Sequence, residues 1–297
     1  MTGAKGTIIH VDPNILETVD GSPLGDDIQI ELLEMTDNSS LLLNNAPTVS
    51  NGKILVTGGA YYLNMTSDGK QLKLKQDKGL EVEFPKLTEN EMGLFFGERD
   101  SLGSMNWMQA EQNFVSKDLE APKEPKPKKT TKKETYSEIE LILGYIDNKE
   151  VEPLTQEEIK EYERQKREYE TASKTYESVE LMNFGWINCD RFWDDPNPKT
   201  DIQLIVNNDS LTGARIYAVF KDINSIMTEN YWKTRTDTAR FRNIPVGKEL
   251  TIIALSAKDE TPYVFETTIN TEIDKQVQID FTATTQADIK EKMKRIN

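Results

Sequence analysis

The sequence predicts a mainly β fold, with two antiparallel β-sandwich domains joined by a Lys/Pro-rich linker and one long polar helix. Three observations carry that prediction. Apolar residues alternate with polar ones at period 2 in many short segments, the mark of half-buried strands. Turn dipeptides, including Asp20-Gly21, Asn51-Gly52 and Asp68-Gly69, separate those segments at intervals of about ten residues. A run rich in Pro and Lys, followed by a helix-start signal, divides the chain in its middle. No alternation of strand and helix appears, which argues against a doubly wound nucleotide-binding fold.

Residues 1–118 form the first predicted sandwich. Ile28, Ile30 and Leu32 alternate with Gln29 and Glu31, and Leu72 and Leu74 alternate with lysines. Leu80-Glu-Val-Glu-Phe84 repeats the pattern and stops at Pro85. Residues 119–135 read as an extended, solvated linker. In residues 136–181, a connector, the alternation of Ile139, Leu141 and Leu143 predicts a strand. A helix then starts at Thr155, whose capping partner is Glu158 three residues on. Tyr162, Tyr169 and Tyr176 fall seven apart and predict one aromatic stripe on that helix, laid on a domain surface. Residues 182–297 form the second predicted sandwich, with strands over Met182–Cys189, Ile202–Val206, Arg215–Phe220, Leu250–Leu255, Tyr263–Ile269 and Val277–Ala283. Thr285 caps a short C-terminal helix carrying Ile289, Met293 and Ile296.

Charge and composition exclude several functions. Among 297 residues, 36 Lys and Arg face 51 Asp and Glu, a net charge of −15. Nucleic acid is therefore a poor partner, since its binders need a basic footprint. One Cys rules out an internal disulfide and a multi-cysteine zinc site, and one His rules out a multi-histidine metal site. No apolar run reaches the length of a transmembrane helix. The charge is uneven: residues 117–133 hold 7 Lys against 3 acids, leaving −19 on the rest. The basic strip 123–133 has two readings, a contact for an anionic surface and a solvated loop.

Candidate chemistry is sparse. His10 lacks the partners of a catalytic triad. Cys189 lacks a nearby His to activate it and reads as a buried, inert thiol. The densest acidic loop, Asp194-Asp195-Pro196-Asn197-Pro198, follows Asp190 and Trp193. Asp194, Asp195 and Asn197 offer hard oxygen ligands for Ca²⁺, although the spacing departs from an EF-hand and the two prolines also make a turn. Trp193 can stack on a sugar or pack a loop edge. Asp190, Asp194 and Asp195 are the nominal carboxylates for a hydrolase. No cofactor motif is present.

Two stretches carry a resemblance. Residues 52–107 include Gly52-Lys-Ile-Leu-Val-Thr-Gly-Gly-Ala-Tyr-Tyr-Leu-Asn-Met-Thr66 and Met92-Gly-Leu-Phe-Phe-Gly-Glu-Arg-Asp100, and residues 185–193 read Gly-Trp-Ile-Asn-Cys-Asp-Arg-Phe-Trp. Together they resemble cell-envelope proteins of Bacteroidota whose first domain is similar to the zona-occludens/netrin-receptor type of β-sandwich, including the turn Asp20-Gly21-Ser22-Pro23. The resemblance implies an exported, non-catalytic scaffold that binds a protein or glycan, and it transfers no catalytic residue. The expected location is the cell envelope or the extracellular space, with the leader trimmed from the sequence; a cytoplasmic location is the alternative. A hydrolase with carboxylates between the two domains is the competing function.

Overall fold

The computed structural model describes residues 1–101, 103–130, 150–206, 211–232 and 238–296. The strand expected near 136–146 and residues 131–135 of the linker lie outside them. In chain order the first half holds β1 (Ile8–His10), β2 (Leu16–Thr18), β3 (Ile28–Met35), α1 (Asn38–Leu43), β4 (Val49–Ser50), β5 (Lys53–Ser67), β6 (Lys70–Leu74), β7 (Leu80–Glu83), β8 (Gly93–Arg99) and β9 (Met105–Asn113). The middle holds β10 (Lys128–Thr130), β11 (Glu150–Glu152) and α2 (Gln156–Ala172). Then come β12 (Val179–Leu181), β13 (Gly185–Phe192), β14 (Lys199–Val206), β15 (Gly213–Phe220), β16 (Ile226–Trp232), β17 (Thr238–Pro245), β18 (Glu249–Lys258), β19 (Thr261–Asn270), β20 (Gln276–Ile279), β21 (Thr282–Ala283) and α3 (Gln286–Lys294). The fold is mainly β, in several largely antiparallel sheets.

β5 is the spine of the first sheet. It pairs with β3 along one side and β13 along the other, and β13 continues to β8 and then β9. β1, β7 and β12 form a small second layer. Between the layers lies a core built on Tyr61, Leu63, Met65, Val82, Phe84, Leu94 and Ile187. Phe84 stacks against both Tyr61 and Phe114. The later strands form β17–β14–β20 and β16–β15–β18–β19–β21, with a core of Ile202, Leu204, Phe220, Phe241, Leu250 and Ile252 between them.

The expected boundary at 181/182 is displaced. β13, predicted to open the second sandwich, is instead an inner strand of the first sheet, and β12 pairs with β7 of the small layer. The reason is burial. Ile187, Asn188, Cys189 and Asp190 are all inaccessible, as an inner strand covered on both faces must be. A third core joins both β regions: Met35, Leu55 and Trp107 from the first pack with Tyr217, Val219 and Ile253 from the second. Met1–Val115 and Tyr176–Asn297 accordingly form one compact unit. α3 is capped by Thr285, whose Oγ accepts from Asp288 N at 3.1 Å; Met293 of the helix and Ile296 just beyond it are buried in that third core.

Ser116–Thr175 forms a separate unit. Here β10 pairs with β11, and Thr155 and Glu158 make the reciprocal capping box that begins α2. α2 has no buried residue. Its ion pairs centre on Arg164, which holds Glu161 and Glu168 at 2.6 Å each. Hydrogen bonds from Arg164 and Gln165 bring the Glu161 carboxyl down to about 2. Residues 119–123 run beside Gln165, Glu168, Tyr169 and Ala172. The expected three-tyrosine stripe is broken. Tyr162 and Tyr169 are half-buried, but α2 ends before Tyr176. Tyr176 sits in the first core against Phe114 instead, held by Phe84 O at 2.9 Å.

Candidate functional site

The acidic loop is held by its own lysine. Lys248 Nζ lies 2.8 Å from Asp195 Oδ2, 2.9 Å from Asp222 Oδ2 and 5.0 Å from the Trp193 ring centroid. Asp195 Oδ1 accepts the backbone N–H of Asn197 at 2.9 Å, closing an Asx turn before Pro198. Both Asp195 oxygens are thus engaged. Hydrogen bonds from Lys248 and Asn197 hold its carboxyl below the usual range, against the opposing effect of desolvation. Trp193 packs edge-on to Phe220 at 5.1 Å and belongs to the periphery of the second core. Asp194 and Asn197 are exposed. Among the described residues no group of three or more His, Cys, Asp or Glu side chains is placed to hold a metal ion.

Asp190 stands apart from that loop. Its carboxyl is inaccessible in the main sheet, next to a bulge where Gly58 and Gly59 of β5 oppose Cys189. Asn188 Nδ2 donates to Asp190 Oδ2 at 2.6 Å, and Thr57 Oγ donates to Asn188 Oδ1 at 2.9 Å. Asp190 Oδ1 has no hydrogen-bond partner. Burial pushes this carboxyl up to about 8, while Thr57 and Asn188 act in the opposite direction. Cys189 is buried, and desolvation drives its thiol well above the ordinary range. The three nominated carboxylates therefore do not converge. One is enclosed in a sheet, one is ion-paired and one is exposed.

The strongest candidate site lies elsewhere, in a cleft of about 910 Å³. One wall comes from Pro47, Gly52, Ser104 and Met105, the other from β16 and β17. The walls follow from strand alternation. In β17, Ala239 and Phe241 turn inward, leaving Arg240 and Arg242 exposed. In β16, Tyr231 is buried, so Trp232 is left at the surface, 41% exposed. Opposite Trp232 on β15 stands Gly213. A Cβ there would come within 2.9 Å of the indole, so the glycine gives the ring its seat. Asn230 is fixed by Ser104 Oγ at 3.0 Å and by Arg215 Nε at 3.2 Å. Glu229 is the only acid among the described lining residues. Burial raises its pKa, opposed by its hydrogen bond with Asn230 N and by the Arg242 charge. Arg240 lies 3.7 Å from Asp201.

Of the two readings open for Trp193, the structure shows packing, and the presented indole is that of Trp232 on β16, a strand that no local alternation announces. The Ala-Arg-Phe-Arg alternation at 239–242 is the signal that places the neighbouring wall. Of the basic strip, Lys123 and Lys126 are exposed, and residues 131–133 lie outside the described residues. No helix among the described residues is long and apolar enough to cross a membrane. Neither a protein-family model nor a curated protein matches the chain.

Proposed function

We propose that this protein is a non-catalytic binding scaffold that recognises a carbohydrate chain in the cleft below Trp232. The observation that carries the reading is the composition of that cleft. An indole with an exposed face, Asn230 and Asn243, and the guanidinium groups of Arg240 and Arg242 surround it. An aromatic face with flanking amides suits a pyranose ring, which is apolar on its faces and rich in hydroxyls at its rim. Two guanidinium groups favour a chain that bears carboxylate or sulfate groups. Hydrolysis of a glycosidic bond in the usual way needs two carboxyl groups across the substrate. Glu229 is the single acid in the described lining, so binding is the better-supported reading. The resemblance to exported envelope proteins agrees with it, and we place the protein in the cell envelope or outside the cell. Fractionation of cells producing the full-length gene product checks that placement.

The test is a titration of the whole chain with neutral and uronate-containing oligosaccharides, followed by tryptophan fluorescence and calorimetry. Uronate chains should bind more tightly. Trp232→Ala should weaken binding at least about tenfold with the melting temperature little changed. Absence of binding, or equal binding by the variant, overturns the assignment. Release of reducing ends would favour the hydrolase.

A further inference from the structure

A second surface, on the other β region, goes beyond that reading. β9 is the outermost strand of the main sheet and, among the described residues, pairs with β8 alone. An open edge is a ready template for another strand, and proteins normally blunt it. β3, which among the described residues pairs with β5 alone on the far side of the sheet, is blunted. Glu34 accepts the backbone N–H groups of Lys5 and Thr7 at 2.8 and 3.1 Å, which ties the N-terminal segment across it. β16, an edge of the other sheet, gives its Ile226 carbonyl to Thr48 N at 2.8 Å. From Met108 to Asn113, β9 has neither Lys nor Pro, the residues that most often protect an edge.

Beside this edge runs a groove of about 680 Å³. Phe96 and Met182, 37% and 49% exposed, give it apolar surface together with Ala110. Glu98, Glu111 and Glu180 line it and are exposed, and no Lys or Arg does so among the described residues. The one cation of β8, Arg99, is committed elsewhere. It donates to the carbonyls of Asn44, Asn45 and Gly103 and lies 4.4 Å over the Trp186 ring.

We propose that β9 and this groove dock an extended peptide segment of a partner protein, rich in Lys or Arg alternating with apolar residues, as an added strand. Main-chain hydrogen bonds to β9 would supply the affinity. One face of the added strand would turn its side chains toward the apolar groove, and the acidic surroundings would favour a segment of positive net charge. Charge decides the occupant: a second copy of a chain with net charge −15 would bring mostly more acid to an acidic groove.

The test uses the full chain and a fluorescein-labelled octapeptide of alternating Lys and Val. A Glu/Val peptide and a Lys/Val peptide N-methylated at alternate residues serve as controls. The Lys/Val peptide should bind by anisotropy, and hydrogen exchange should slow at Met108–Asn113. The Glu/Val peptide should not bind, and N-methylation should abolish binding, because it removes the donors that extend a sheet. In a Glu98→Lys, Glu111→Lys protein that keeps its melting temperature, affinity should fall about tenfold or more. Any of three results overturns the proposal: no binding, binding indifferent to N-methylation or to charge reversal, or protection of β9 by concentration-dependent self-association instead of peptide.

Discussion

Asp190 gives the fold a pH dependence that runs opposite to that of most carboxylates. A salt-bridged acid stabilises a protein above its unfolded pKa; a buried acid without a cation does the reverse. The Asp190 carboxyl moves from 3.8 to about 8 on folding. The folded state therefore binds its proton more tightly. The stability from that protonated form is fully present below pH about 4 and is lost as pH rises toward 8. Asp190→Asn keeps the shape and removes the charge. Its melting temperature should match the parent near pH 4 and exceed it at pH 8, with a stability difference there on the order of a few kcal/mol at most. Thermal melts from pH 4 to 9 decide this, and a parent that is equally stable throughout would show that the carboxylate is neutralised in another way. Asp195 shows the opposite arrangement at a neighbouring position. Lys248 satisfies it, and the indole of Trp193 covers the lysine, so the residues that looked most like a binding loop form a structural clasp.

At the scale of elements, the bulge in β5 decides which side chains face which core. Before it, Leu55 faces the third core; beyond it, Tyr61 and Leu63 face the first. A bulge adds a residue to one strand and so changes the alternation. Gly59 makes this possible with φ of 134°, and a Cβ there would lie 2.5 Å from the Oη of Tyr61, two residues on in the same strand. Gly59→Ala should cost about 2–3 kcal/mol through strain and overlap. Denaturant unfolding measures this, and a cost below ~0.5 kcal/mol would mean that the bulge relaxes freely. The same element explains how much could be read from the sequence. Strands with one wet face, such as β3, β6 and β7, declare themselves by alternation, and the cap of α2 declares itself by Thr155 and Glu158. β13 does not alternate, because it is covered on both faces, so it carried no sign of which sheet it joins. Trp232 was equally hidden. Its exposure depends on the register of β16 against Gly213, a long-range fact that no local pattern contains.

At the scale of the molecule, the chain is one β unit interrupted by an insertion. Val115 and Glu177 are sixty-two residues apart in number, yet Glu177 N donates to Val115 O at 2.9 Å. The ends of the intervening unit therefore leave from one point of the larger one. Replacing residues 117–174 with about four Gly/Ser residues, an ordinary length for a connection between neighbouring strands, should leave that unit folded. The shortened protein should melt cooperatively within about 4 °C of the parent. The fragment 1–118, by contrast, should fail to melt cooperatively. It lacks β13, so β5 and β8 lose the strand that lies between them, and it lacks β12 and the far side of the third core. Calorimetry of both proteins separates the alternatives. A cooperative transition in 1–118 would mean that β5 and β8 can pair without β13 and that the first sandwich folds on its own. Loss of the transition in the shortened protein would mean that the insertion, for all its exposed helix, stabilises the sheets from which it departs.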